Sequence, residues 1–200
     1  RRMIKNKKRQ EEEFMNLKGQ LHIHTTFSDG SLTIQEAANV YNDLRFDFIV
    51  ISDHDHLLKP GYRDAIESVK SNMLVFLGIE RTVHTRWGYV HVSEIEGEEE
   101  KLYIFNHPFE YGLTLKQSKE CIEDVKKAHK LDAVEISHQG FYTPAFDSVT
   151  IPYPKVATDD SHALLGCGRA WIEMDCEKRK DPILRQIKKG EFKCRFVGGQ

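Results

Sequence analysis

The sequence contains no apolar run of the length that a membrane span requires, and no two cysteines in a C-x-x-C arrangement. It also lacks an excess of positive charge, with 29 Lys and Arg against 31 Asp and Glu. The first absence excludes a transmembrane helix. The second leaves Cys121, Cys167, Cys176 and Cys194 scattered, which predicts reduced thiols in a cytoplasmic protein rather than a disulfide framework. The third argues against a general nucleic-acid binder, because no broad basic surface is implied. Nothing resembles a secretory signal, since the basic N-terminal block is not followed by an apolar core. The chain starts without Met and ends at "FVGGQ", which reads as a piece of a longer chain or a trimmed one.

What is present is enough for one soluble domain. There are 200 residues, 40% hydrophobic and 30% charged, and a core of that size sustains a fold. Residues 1–18, opening "RRMIKNKKRQEEEF", read as a charged tail or frayed helix, with a docking arm as the alternative. Residues 19–200 form the domain proper. Short apolar runs at Phe46–Ser52, Met73–Glu80, Leu102–His107 and Asp132–His138 predict strands, as do "KVATDD" and "RAWIEM". Helical patterns lie between them. Thr33 and Glu36 form a capping-box signal, "TLKQSKECIEDVKKAHK" carries a stripe of Leu115, Ile122, Val125 and His129, and Asp181-Pro182 to Gly190 bounds a late helix. The alternation predicts an α/β fold with mainly parallel strands.

The chemistry lies at the ends of these runs. In "QLHIHTTFSDGS", Leu21 and Ile23 alternate with His22 and His24, a period of two that places both imidazoles on one face of a strand, with Asp29 close behind. "SDHDH" adds His54, with Asp53, Asp55 and His56 beside it. Glu80 ends "FLGIE", His91 lies in "GYVHV", His107 ends "LYIFNH", and "TDDSH" repeats the two-residue spacing with Asp160 and His162. Each piece alone is ordinary strand-end or turn chemistry. Together they are four clusters of ligand-type residues at the carboxyl ends of strands, where α/β sheets and barrels build their sites. Histidine and carboxylate donors without cysteine suit zinc, manganese or iron, and at least two cations are expected.

In order from about Leu21 to His162, "HIHTTFSDG", "SDHD", "GIE" followed by His91, "NHP" and "TDDSH" resemble the PHP (polymerase and histidinol phosphatase) domain of metal-dependent hydrolases. "GCGRAWIEM" with "ILRQIKKGEF" resembles the tail of its carbamate-hydrolysing branch. The resemblance implies a distorted (β/α)7 barrel with its metal site at the C-terminal ends of the strands. It implies that His22, His24, Glu80 and Asp160 hold one metal, that Asp29, His54 and His162 hold a second, and that Glu80, His91 and His107 hold a third. His84 competes with His91, and His138 with His107; the strand-like setting of His91 and the His-Pro dipeptide at His107 favour the latter pair. His56, His84 and His138 otherwise read as supporting or surface groups.

Two or three divalent cations would make the chain a hydrolase. Three cations outweigh Asp29, Glu80 and Asp160 together with a shared hydroxide, whereas two only balance them, so a small anionic substrate such as a phosphate ester is expected. A carbamate, ester or amide is the alternative on the same metals, with a nuclease or a non-catalytic metal-binding module as further alternatives. Asp29, His54, Glu80 and Asp160 are the expected catalytic groups. Arg169, with Arg81 as its rival, is the expected phosphate clamp. Asp53 and Asp55 either hold imidazole tautomers or cap turns. Neither a membrane nor a nucleic acid is expected as partner.

Overall fold

A computed structural model describes residues 14–199. Nine strands form one mixed sheet, and two more form a small hairpin. In chain order the elements are β1 (Phe14–Gln20), α1 (Ile34–Asp43), β2 (Phe48–Ile51), α2 (Tyr62–Glu67), β3 (Leu74–Thr85), β4 (Gly88–Glu96), β5 (Lys101–Phe105), α3 (Leu115–Ala128), β6 (Ala133–Glu135), β7 (Ser137–His138), β8 (Phe141–Tyr142), β9 (Lys155–Val156), β10 (Ala170–Glu177), α4 (Lys180–Lys189) and β11 (Lys193–Phe196). The large sheet runs β11-β10-β1-β2-β3-β4-β5-β6-β9. Its two edges approach each other, with Cys194 Sγ on β11 lying 3.1 Å from the Lys155 carbonyl on β9. The result is a sheet nearly closed into a barrel.

The distortion of this barrel has a definite source. Strands β1-β2-β3 and β5-β6-β9 pair in parallel, but β3-β4-β5 form an antiparallel meander, and β10 and β11 run antiparallel to their neighbours. The sheet is therefore mixed rather than mainly parallel. Periodicity reveals that a segment is a strand but not its direction, and a meander needs only short turns where a parallel pair needs a crossover.

The pattern of side chains explains the layers. On β2, Phe48 and Val50 point into the barrel, while Ile49 and Ile51 point outward against α1 and α2. Both faces are covered, which is why "FIVI" is a continuous apolar run. Helix α3 covers the outside of β4 to β6 with Cys121, Ile122 and Val125. Ile183, Leu184 and Ile187 of α4 join the interior cluster and close the end of the barrel nearest the β4–β5 turn. Each is fully buried, a burial that stabilises by roughly 1.5–3 kcal/mol per side chain. The opposite end, where β1, β2, β5 and β9 finish, is left for polar residues.

Local signals act as expected at the helix ends. Thr33 and Glu36 form a reciprocal capping box on α1, Thr114 and Gln117 form another on α3, and Gly190 ends α4 in the left-handed region at φ +74°. Other boundaries differ. Most of the expected 1–18 tail lies outside the described residues, but Phe14 to Lys18 belong to β1 and pair with β10. The strand expected at Leu21–His24 ends at Gln20, and the chain continues extended with one bridge from Ile23 to Ser161. Asp132–His138 divides into β6 and β7. Among the described residues no helix is long and apolar enough to cross a membrane, and the four cysteines are unpaired.

Candidate metal centre

The open end of the barrel gathers every histidine and carboxylate that the sequence suggested as a metal ligand. Glu80, fully buried on β3, is the hub. Its Oε1 lies 3.3 Å from His22 Nε2, 3.0 Å from His107 Nε2 and 3.4 Å from His91 Nδ1, and its Oε2 lies 3.2 Å from His24 Nε2 and 2.9 Å from His54 Nδ1. Asp160 Oδ1 closes the other side, 3.4 Å from His22 Nε2 and 3.3 Å from His24 Nε2. Asp29 stands at the rim, 3.4 Å from His24 Nδ1, 3.6 Å from His54 Nε2 and 3.5 Å from His162 Nε2.

Each side chain is held by its own segment. His22 and His24 follow β1, and their two-residue spacing keeps the rings together, with Nε2 atoms 3.0 Å apart. The loop that carries Asp29 folds back because Asp53, fully buried, accepts hydrogen bonds from the Thr25 amide, the Thr25 hydroxyl and Ser28. Gly30 packs against the backbone of His24, where a Cβ would lie 2.5 Å from the carbonyl carbon. His54 lies just beyond β2 and bridges to Glu80. The "TDDSH" segment is fixed from behind. Tyr41 donates to Asp159 at 2.8 Å and its oxygen lies 2.8 Å from Ser161 Oγ, while the Ser161 carbonyl accepts from the His24 amide at 3.0 Å. Asp159 thus points away from the site and Asp160 into it; burial pushes the Asp159 carboxyl up to about 7.

The donor atoms fall into four overlapping groups, each with its atoms within 4.8 Å of one another: His24, Asp29, His54 and His162; His22, His107 and Asp160; His22, His24 and Glu80; and His54, Glu80 and His91. Relative to the sets implied by resemblance, His24 joins the rim group and His54 joins Glu80 and His91. The electrostatics ask for positive charge. Burial alone would lower the His22 pKa, but Glu80, Asp160 and Glu135 outweigh it and hold it up at about 10. His24 and His107 are raised against burial in the same way, while Glu80 and Asp160 are held low, also against burial, by the imidazoles around them. Even so, Glu80 Oε2, Asp160 Oδ1, His54 Nδ1 and His91 Nδ1 are buried without a hydrogen-bond partner among the described residues. A buried acceptor left unmatched costs about 1–3 kcal/mol. Acceptors that converge at this spacing fit divalent cations, which satisfy several lone pairs at once.

The backbone is strained at the same place. His107, Gln139 and Asp160 have positive φ values of 26°, 49° and 46°, each a conformation costing of order 1–3 kcal/mol outside glycine. All three line the cavity of about 250 Å³ that opens over Glu80.

Several residues not selected from the sequence belong here. Glu135, fully buried, accepts from the His107 amide at 3.1 Å, from Ser137 at 3.1 Å and from Thr158, and lies 3.4 Å from His22 Nδ1. An acidic residue inside the apolar run "DAVEIS" was its only local signal. Glu110 Oε2 lies 2.6 Å from His107 Nδ1 and lines the cavity, as does Gln139. Asn106 donates to Glu80 at 2.7 Å.

Other residues are not brought to the centre. The Arg169 guanidinium sits 5.3 Å above the Phe141 ring and does not line the metal cavity, so the expected clamp is absent there. Arg81 pairs with Glu94 at 3.1 Å, because its neighbour Glu80 takes the inward face of β3. His84 packs against Tyr89, His138 against Phe109, and His56 lies beside Thr82. Asp55 caps the amide and hydroxyl of Thr82. Asp53 and Asp55 are therefore taken up by the Thr25–Ser28 loop and by Thr82 on β3 rather than by the clustered imidazoles.

No protein-family model and no curated protein matches the chain. Solved structures do. A two-domain protein from Bacteroides vulgatus containing a predicted PHP-like metal-dependent phosphoesterase superposes with a TM-score of 0.64 at 16% identity, over 92% of this chain and 65% of its own. This chain thus spans about two thirds of that protein. PsfC from Pseudomonas syringae gives 0.65 at 13% identity, over 92% of both chains. An amidohydrolase from Chromobacterium violaceum, solved with sulfate and no metal, gives 0.62 at 12% identity, over 88% of this chain and 97% of its own. The fold is that of PHP-like metal-dependent hydrolases.

Proposed function

We propose that the protein is a metal-dependent phosphoesterase that hydrolyses small phosphate esters. The observation that carries the reading is Glu80, a buried carboxylate within 3.4 Å of five imidazoles and flanked by Asp160. His22, His24, Glu80 and Asp160 would hold one cation, Asp29, His54 and His162 with His24 a second, and Glu80, His91 and His107 a third. Bound there, divalent cations supply Lewis acidity to an ester oxygen and lower the pKa of bound water to about 7.

The chain's own residues set the rest. Glu135 and Glu110 flank the rings of His22 and His107 on the nitrogens turned away from Glu80, which fixes ring orientation. Asp29 and His162 are the most exposed members of the cage and form its substrate-facing side. Gln139 presents an exposed amide at the rim, a donor for a non-bridging phosphate oxygen. Glu110 adds a carboxylate to Asp29, Glu80 and Asp160. With the shared hydroxide these four carboxylates make five negative charges, which three divalent cations outweigh and two do not, so the anionic substrate favours the three-cation form.

A second reading keeps the cage and changes the electrophile to a carbamate or amide carbonyl, and the amidohydrolase with the same fold supports it. Parallel assays of the manganese-, zinc- and iron-loaded protein on a phosphomonoester, a phosphodiester and an aryl carbamate separate the two. Phosphomonoester turnover that is lost on chelation is expected; turnover of the carbamate alone would replace the first reading with the second.

A further inference from the structure

Strands β4 and β5 separate where they carry the third group of ligands, and one side chain stands in the gap. Val92 pairs with Phe105, so His91 and Asn106 face each other next. An antiparallel pair in this phase exchanges two backbone hydrogen bonds. One is made, from the Asn106 amide to the His91 carbonyl at 3.0 Å. The other runs through Tyr111. The His91 amide donates to the Tyr111 hydroxyl oxygen at 2.7 Å, and that hydroxyl donates to the Asn106 carbonyl at 3.1 Å. The phenol oxygen is thus a one-atom spacer in the ladder, and β5 ends beside it at Phe105.

The chain bends to deliver this group. The Glu110 amide donates to the His107 carbonyl at 2.9 Å and the Gly112 amide to the Phe109 carbonyl at 3.3 Å, successive turns that bring Tyr111 back to His91. Its ring packs edge-on against His91, with centroids 6.3 Å apart at 82°, and lies 5.6 Å from His107 and 6.1 Å from Phe105. Both imidazoles that it touches aim at Glu80 Oε1, His91 Nδ1 from 3.4 Å and His107 Nε2 from 3.0 Å. His22 and His107 have a further carboxylate at the nitrogen turned away from Glu80. His91 has none: among the described residues, Glu80 is the only acid in ion-pairing reach of its ring. Its place is therefore set by its backbone and by the rings of Tyr111 and His54 against it. At the other end of the bridge, the Asn106 side chain donates to Glu80 at 2.7 Å and to Ser93 at 2.9 Å, and His107 follows at its strained φ of 26°. One hydroxyl thus fixes the separation of both segments that supply the third-site imidazoles.

We propose that Tyr111 is a positioning residue for the third cation: the spacing that its hydroxyl imposes between His91 and Asn106 sets the affinity of the Glu80, His91 and His107 group, apart from the other two groups. The inference rests on the three-cation reading. Without the hydroxyl, the His91 amide and the Asn106 carbonyl either meet directly, which draws His91 and His107 out of register, or stay apart as unpaired polar groups that loosen both. The other two ligand sets take no residue from β4 or from the 106–111 segment, so they do not feel the change directly.

Tyr111→Phe keeps the ring and removes only the hydroxyl. Ile122→Ala, in the same apolar cluster but away from the bridge, is the control for a general loss of stability. Equilibrium dialysis against manganese, with elemental analysis, gives the stepwise affinities of the parent and both variants. Cadmium NMR of the cadmium-loaded proteins counts the sites, and urea unfolding of the metal-free proteins checks the fold. The parent should take three cations. In Tyr111→Phe one step should weaken by about 10–100-fold while the other two stay within about threefold of the parent, and two cadmium resonances should keep their positions. Ile122→Ala should unfold at lower urea and keep all three steps. Three unchanged steps in a folded Tyr111→Phe protein, an equal loss at every step, or loss of the same step in Ile122→Ala would overturn the proposal. A parent that never takes a third cation would refute the three-cation reading and the proposal together. Selective loss of one step in a protein that hydrolyses no phosphate ester would refute the phosphoesterase reading and leave the role of Tyr111 standing.

Discussion

Glu135→Gln should weaken metal binding without unfolding the protein. The carboxyl group of Glu135 has two tasks. One oxygen takes the His107 amide and faces His22 Nδ1; the other takes the Ser137 and Thr158 hydroxyls. Glutamine keeps the shape and one acceptor. Its amide nitrogen can face the hydroxyls, which reverse their own bonds, since Ser137 Oγ already accepts from the Thr158 amide at 2.8 Å. What is lost is the negative charge behind His22, which orients the ring and raises its basicity. Groups in that position contribute 10–100-fold to metal affinity, or about 1.4–2.8 kcal/mol. Glu135→Ala is the wrong probe. It strands the His107 amide and both hydroxyls in a buried site at about 1–3 kcal/mol each, a sum that approaches the whole stability of a domain. Competition with a chromophoric chelator measures the affinity, and urea unfolding of the metal-free protein checks the fold. Affinity within about twofold of the parent, in a folded Glu135→Gln protein, would refute the orienting role.

Further outcomes follow from the same cage. Metal uptake should release protons at neutral pH, because His22, His24 and His107 are held above their ordinary pKa in the metal-free protein and must give up those protons to bind; affinity therefore falls as pH falls, and calorimetry in two buffers of different ionisation enthalpy counts the protons. Saturating cation at about a hundred times its Kd should stabilise by about 2.7 kcal/mol, a rise in Tm of roughly 5–11 °C in a domain of this size, reversed by chelation. Gly30→Ala should cost about 1–3 kcal/mol, because its Cβ meets backbone rather than a side chain that can yield, and should displace Asp29 and lower the metal content of the rim group, read by elemental analysis.

Much of the cage was legible because its residues are local events. His22 and His24 declare themselves by alternation, Glu80 and His107 by ending apolar runs, and Asp160 and His162 by repeating the two-residue spacing. The surrounding supports were not legible, because they act only through distant contacts. Glu135 meets His22 across 113 positions, and Asp159 meets Tyr41 across 118, so neither leaves a mark in its own segment beyond an acid among apolar neighbours. Asp53 and Asp55 could not be divided between imidazole and turn until Thr25, Ser28 and Thr82 were placed. Arg169 was misread for a related reason. Its distance along the chain from His162 says nothing about the hairpin at Gly140, which captures it. The fold shows the same division. Helix caps are written in three or four residues and fall where expected, whereas the antiparallel course of β4 and the inclusion of Phe14 to Lys18 in β1 depend on partners elsewhere in the sheet.

Strand ends from across the chain form one cage, built to hold neighbouring cations around Glu80. Anomalous diffraction from crystals of the manganese-loaded protein tests it most directly. The prediction is two or three peaks inside the cage, each bounded by the imidazoles and carboxylates named above, with Glu80 touching more than one. Peaks elsewhere on the molecule, or none within reach of Glu80 in protein that retains activity, would contradict it.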